Sequence, residues 1–597
     1  MCGIAGFIGR DKGIITLMLD IINHRGPDDR GIFIDDNVTF GHVRLSILDL
    51  TSYGHQPMEF DNLVIVFNGE VYNFKEIRES LKEYDFFSNS DTEVVLKAFH
   101  KWGVSAVDRF RGMFAFCIYD RKNKKLFLFR DRVGVKPLYY YFDGKNFAFA
   151  SEVRAIKKYK DKLKINKNAL CEFFQYGYIF DEISIYKDVK KVKPGHFLEV
   201  DLEKLKIKEN EYWSILPFFE TQFNKREEKL VDELEELLVD AFSLRMVSDA
   251  PVGVFLSGGV DSSIVSAILQ KHIGDIKTFT IGFRENKYNE APYAKAVAEY
   301  LGTHHIEKYL SVDKAKEILK NFVKIYDEPF GDSSGIPTFL VSRVAKENGV
   351  KVVLSADGGD EIFCGYRRYW EILKRYKIIN KVPFRKILNL FLKGDSYRIK
   401  HLKSLLNNFS FEEFYNLMVK SSKGFEVKKL LGCDKSYYLN SFEIGEKLNP
   451  MQGMMLWDLY RYLPDDILVK VDRATMSNSI EGREPMLDHR IIEFMARVPF
   501  EFKYKNGESK YLLKKVLERY LPKELIYRPK QGFGIPVFEW FSKDLRVMFD
   551  EYFKEDDEFI NMQYARYLLD RLKHKQHINI NTLWFILEYK MWKKEYM

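Results

Sequence analysis

Over residues 2–201 the chain runs through short apolar and polar stretches broken by polar turns, with segments 63–67, 113–119, 126–130 and 147–150 as the clearest cases. This pattern predicts strands rather than helices. Helical spacing appears there at 16–23 and 92–101, so the first part reads as a mixed, layered α+β unit. Charged stretches at 204–211 and 223–229 mark a change of composition before the amphipathic run 230–246. The expected division is a first domain at 2–205, a linker at 206–228 and a second domain at 229–597. In the second domain an apolar strand at 252–256 leads through a glycine-rich turn into a helix at 262–270, and 278–283 and 352–355 repeat the strand signal. Strands alternating with helices predict a parallel α/β sheet. From residue 366 to the segment 584–596 the pattern is mostly helical, aromatic and lysine-rich.

Composition narrows the class. A chain of 597 residues with 46% apolar and 15% aromatic side chains has ample material for large cores and is too hydrophobic to be disordered. Its net charge of +8 is spread along the chain without basic blocks, which argues against a nucleic-acid partner. No apolar run is long enough for a membrane span and no secretory signal is visible. Cys2, Cys117, Cys171, Cys364 and Cys433 are odd in number, scattered and never spaced as CxxC, which favours neither a disulfide framework nor a zinc site. The cytoplasm is the expected compartment.

Chemistry begins at Cys2. Removal of the initiator methionine would leave this cysteine with a free α-amine, whose reference pKa near 8 lets it serve as a base for its own thiol. Around it stand Cys2-Gly3-Ile4-Ala5-Gly6-Phe7, Arg25-Gly26-Pro27-Asp28, Gly41-His42-Val43-Arg44-Leu45-Ser46-Ile47, Phe67-Asn68-Gly69-Glu70-Val71-Tyr72-Asn73 and Ser90-Asp91-Thr92-Glu93. Together they resemble the class II glutamine amidotransferase domain. The resemblance implies that Cys2 attacks the glutamine amide while the Asn68 side chain and the Gly69 N–H form an oxyanion hole. It also implies that Arg44 takes the substrate carboxylate and that Glu70 and Asp91 take its ammonium.

Ser257-Gly258-Gly259-Val260-Asp261-Ser262-Ser263 lies at a strand-to-helix junction and lacks the Gly-Lys-Ser/Thr ending of a Walker loop. Small residues at a helix start still offer backbone N–H groups to an anion. The stretch resembles the pyrophosphate loop of enzymes that split ATP into AMP and pyrophosphate. Asp261, and Asp360 in Ser355-Ala356-Asp357-Gly358-Gly359-Asp360-Glu361, are the candidates to hold Mg²⁺ on the phosphates. By the same resemblance Leu256, Ile281, Ser355 and Ala356 join Ser257, Gly258, Gly259 and Ser262 around ATP.

A glutaminase followed by such a loop resembles the glutamine-hydrolysing asparagine synthetase family across nearly the whole chain. That resemblance implies an N-terminal αββα sandwich of the N-terminal-nucleophile hydrolase type, then an α/β pyrophosphate-loop domain with a largely helical C-terminal part. It implies adenylation of a carboxylate, usually that of aspartate, attack on the acyl-adenylate by ammonia, a homodimer, and a lysine near the α-phosphate, for which Lys510 is chosen over Lys470. One departure is Asp357, in ADGGDE where the best-known members carry a glutamate. The stretch 481–485 and the long aromatic C-terminal helices likewise resemble a branch associated with surface polysaccharides, which with Asp357 keeps amidation of a uronic-acid nucleotide sugar as an alternative acceptor reaction. A third reading is a stand-alone glutaminase or regulatory protein.

Overall fold

The computed structural model describes residues 2–180, 182–394, 397–407, 410–433, 448–528, 540, 546–576 and 578–597. Its first part is built from two six-stranded sheets whose strands pair antiparallel. One runs Val189–Lys191, Tyr139–Phe142, Phe147–Ala150, Gly3–Ile8, Val38–Arg44, Asp29–Ile34 in spatial order; the other runs Lys206–Glu211, His196–Asp201, Lys125–Arg130, Gly112–Asp120, Leu63–Val71, Met58–Phe60. Their facing sides interdigitate through Ile4, Phe40, Val64, Val66, Ala115, Cys117 and Leu128. Helices Lys12–Ile21 and Val153–Tyr159 cover the outside of the first sheet, and helix Asp91–Trp102 covers the second. The result is the expected αββα sandwich. Strand Leu63–Val71 is apolar on both faces because Val64 and Val66 meet the facing sheet while Ile65 and Phe67 meet the helix. Lys206–Glu211 falls in the stretch read as linker, yet it pairs with His196–Asp201 along its whole length. Its charges are those of a protected sheet edge rather than of a tether.

The second part carries a five-stranded sheet, all of whose neighbours pair in parallel, in the order His304–Leu310, Lys277–Phe283, Val252–Phe255, Val352–Leu354, Glu481–Arg483. The chain enters at Val252–Phe255, builds outward on one side, then returns to build on the other. The gap between Val252–Phe255 and Val352–Leu354 is therefore a topological switch point, where open α/β sheets form a crevice at the carboxyl ends of their strands. The last strand is three residues long and is fixed by its ladder: Glu481 N donates to Lys351 O at 2.9 Å and Ser355 N donates to Arg483 O at 2.8 Å.

The two parts share one core. Helix Ile580–Tyr596 packs Phe585 on Phe173 at 5.4 Å between ring centres. Gly177 and Gly331 approach until their backbones bond at 2.6 Å, because Phe585 leaves no room for a Cβ at either. Buried charges cross the same boundary: Arg25 Nη1, which also donates to Glu152 of its own part at 2.9 Å, donates to Asp472 at 2.8 Å, and Lys191 Nζ lies 2.8 Å from Asp465. Cys171 and Cys433 are paired as a disulfide, a link their scattered spacing did not announce, whereas Cys2, Cys117 and Cys364 are free and buried. Among the described residues no helix is long and apolar enough to cross a membrane.

Candidate active site

The first centre sits where the two sheets of the sandwich meet. Cys2 precedes strand Gly3–Ile8 of one sheet, and Asn68, Gly69 and Glu70 lie in strand Leu63–Val71 of the other. The Cys2 backbone nitrogen donates to Asn68 Oδ1 at 3.0 Å, which ties the nucleophile to the facing sheet. Among the described residues Asn68 Nδ2 is buried without a hydrogen-bond partner. Gly69 can only be glycine, since a Cβ there would lie 2.1 Å from Met113 O. Burial pushes the Cys2 thiol above its ordinary range, against the Leu45 backbone and the Arg44 guanidinium, which lower it.

Arg44 closes strand Val38–Arg44, and its guanidinium is fixed by the carbonyls of Thr51 at 2.8 Å, Leu48 at 3.2 Å and Asp49. Asp91 opens its helix and accepts from Val71 N at 2.8 Å. Burial raises its carboxyl to about 6. Burial and the neighbouring Glu481 and Asp91 carboxylates also raise Glu70. Cys2, Arg44, Asn68, Gly69, Glu70 and Asp91 are thus brought to one buried place.

Sequence reading missed what lies beneath it. Arg483, fully buried, stands 3.6 Å from Glu70, donates to Glu481 at 2.6 Å and holds the carbonyls of Arg245 and Val247, each at 2.7 Å. An edge strand of the second domain therefore reaches the Glu70 carboxylate of the first centre. The alternation of acids around a lone arginine in Glu481-Gly482-Arg483-Glu484 was the available signal.

The second centre lies at the switch point. Leu256 and Ser355 follow adjacent strands, Ile281 lies in the next one, and Leu256 N donates to Phe279 O at 2.9 Å. The loop between Val252–Phe255 and helix Val260–His272 is folded on itself by Ser257 and Ser262, whose hydroxyl oxygens are 3.0 Å apart. Gly258 has φ +73° and its Cβ position meets backbone of residues 293 and 294 at 2.7 Å. Arg528, absent from the predicted set, donates to Gly258 O at 2.5 Å.

Asp261 and Asp360 converge on one lysine. Lys510 Nζ pairs with Asp261 and lies 2.5 Å from Asp360 Oδ1. Burial disfavours the charged ammonium, but the two carboxylates outweigh it and raise the Lys510 pKa. Asp357 lies on the same loop and accepts from Ser355 Oγ at 2.5 Å, while Ala356 is half-buried between them. Lys470, the competing lysine, pairs instead with Asp332 at 3.3 Å. A carboxylate-flanked cation beside a helix N-terminus at a switch point is equipped to handle a polyphosphate.

The model of a family described as asparagine synthase matches residues 233–594, and that of a glutamine amidotransferase domain matches residues 1–213. The chain belongs to the asparagine synthase family. It is similar across its full length to asparagine synthetase [glutamine-hydrolyzing] 1 of Bacillus subtilis, at 32% identity with 98% of that protein covered. A second Bacillus subtilis protein, asparagine synthetase [glutamine-hydrolyzing] 3, is 30% identical over 98% of this chain and 95% of its own. A Methanocaldococcus jannaschii protein provisionally named for the same activity is 40% identical over 80% of this chain and 98% of its own. As a member of the asparagine synthase family this chain is a glutamine-dependent amidotransferase and a carbon–nitrogen ligase.

Proposed function

We propose that the protein makes L-asparagine from L-aspartate, ATP and glutamine through an acyl-adenylate, releasing AMP, pyrophosphate and L-glutamate. The observation that carries this reading is the placement of both centres on opposite sides of one strand, Glu481–Arg483, whose arginine side chain touches Glu70 and whose backbone holds Ser355. The naming of relatives as asparagine synthetases supports the choice of acceptor.

In the first centre Cys2 Sγ attacks the side-chain carbon of glutamine and passes its proton to its own α-amine once methionine is removed. A raised thiol pKa makes that amine necessary, because little thiolate forms unaided. The tetrahedral oxygen takes hydrogen bonds from Asn68 Nδ2 and Gly69 N–H. The amine proton goes to the departing nitrogen, ammonia leaves, and water releases glutamate from the thioester. Arg44 holds the α-carboxylate of the substrate and Glu70 and Asp91 its ammonium.

In the second centre ATP lies across the loop 257–262, with Leu256, Ile281, Ser355 and Ala356 around the nucleoside. The aspartate carboxylate attacks the α-phosphorus and pyrophosphate leaves; ammonia then attacks the acyl carbon and AMP leaves. Lys510 stands to balance charge near the α-phosphate, and Asp357 faces the acyl group. Asp261 and Asp360 fit Mg²⁺, since they offer hard oxygen donors a few ångströms apart, a set that phosphate oxygens and water would complete. When bound, the ion would neutralise phosphate charge. The test is pyrophosphate release from ATP with ammonium chloride as nitrogen source. It should require aspartate and fall at least a hundredfold in Asp261→Ala; release that ignores aspartate would refute the acceptor.

A further inference from the structure

Ammonia made at Cys2 must reach a carbon held near Asp357, and one side chain between the two is unaccounted for. Glu484 follows strand Glu481–Arg483 directly. On one side its strand contacts the glutamine pocket, through Arg483 at 3.6 Å from Glu70. On the other its segment packs on the loop bearing Asp357: the room for a Cβ at Gly358 is filled by Leu487 at 2.3 Å.

Glu484 is 4% exposed, and among the described residues its Oε2 is buried without a hydrogen-bond partner. Charged groups face it from each packed element: Lys136 and Asp131 from the loop after Lys125–Arg130, Asp472 from helix Leu468–Met476, and Asp357 from the loop after Val352–Leu354. Glu481 and Arg483 lie on its own strand. Lys136 Nζ donates to Gly482 O at 3.1 Å and makes no hydrogen bond to Glu484 Oε2. A buried carboxylate oxygen left without a donor is costly unless something passing through supplies one.

Building on the amidotransferase reading above, we infer that Glu484 holds ammonia in transit between the Cys2 pocket and the acyl site, its Oε2 accepting an N–H of the travelling molecule. Burial first, with the Asp357, Asp472 and Asp131 carboxylates and against Lys136, brings its carboxyl to about 7. The stronger, ionised acceptor therefore gains population as pH rises across neutrality.

The experiment measures asparagine formed per glutamate released with glutamine as nitrogen source, and asparagine formed with ammonium chloride, in wild type, Glu484→Leu and Glu484→Gln. In Glu484→Leu the glutamine-supported yield falls at least fivefold relative to the ammonium-supported yield of the same variant, and free ammonia accumulates. Glu484→Gln keeps an acceptor oxygen and couples within about twofold of wild type, but loses the wild-type rise of coupling between pH 6 and 8. A residue with only a packing role would leave that pH profile in place. Wild-type coupling in Glu484→Leu, or a wild-type profile flat over that range, overturns the inference. Should Glu484→Leu fail to fold, the comparison of wild type with Glu484→Gln decides alone. Absence of both asparagine and pyrophosphate in wild type with either nitrogen source would instead refute the parent reaction, and this role with it.

Discussion

At Cys2 burial disfavours the thiolate, so the proposed reaction needs a base beside it, which removal of Met1 would supply as the residue's own α-amine. Cys2→Ala should abolish asparagine formation from glutamine and leave formation from added ammonium, with product chromatography as the check. Asp91 carries a pH signature. Its folded pKa of about 6 lies above the ordinary aspartate value, so the fold favours its neutral form. The stability it contributes is fully present below the unfolded pKa near 3.9 and is lost as pH rises through about 6. The thermal midpoint of wild type minus that of Asp91→Asn should therefore decline from pH 4 to pH 7; a difference that rises would contradict it. Cys2, Asn68 and Asp261 could be proposed from the sequence because each sits in a motif with its chemistry next to it. Glu484 and Arg483 were not, because their meaning comes from a pocket belonging to the other end of the chain.

Elements were readable in proportion to how local their causes are. The strand expected at 252–256 and the helix at 262–270 appear as Val252–Phe255 and Val260–His272, since glycines and a β-rich run fix them locally. Strand Glu481–Arg483 has no strand-forming run and exists only by pairing with Val352–Leu354, so no local pattern could announce it. Strand Lys206–Glu211 was hidden by its charge, which the exposed edge of a sheet tolerates. The glycine-rich turn is the most position-sensitive element. Gly258→Ala puts a Cβ into the backbone of residues 293 and 294 at a left-handed φ, a strain on the order of 1–3 kcal/mol. Pyrophosphate release should fall by tenfold or more, with a lowered thermal midpoint measured alongside.

For the whole molecule, the layered sandwich and the parallel sheet were both foreseeable, but their shared boundary was not, because Arg25 and Asp472 lie 447 positions apart. That boundary is built of buried charge, so removing one partner leaves the other stranded. Arg25→Met should cost about 3–5 kcal/mol, read as a lower denaturant midpoint, and should uncouple glutamate release from asparagine formation. The same boundary places Glu481–Arg483 against Glu70 through the Arg483 side chain and against Ser355 through its backbone, so the two proposed reactions would share one strand. The most direct test supplies glutamine carrying ¹⁵N in its amide, with ATP, Mg²⁺ and aspartate, in a buffer holding unlabelled ammonium. The account predicts asparagine whose amide is mostly ¹⁵N, formed in step with pyrophosphate and glutamate. Labelled nitrogen found only as free ammonia, with no labelled asparagine, would contradict it.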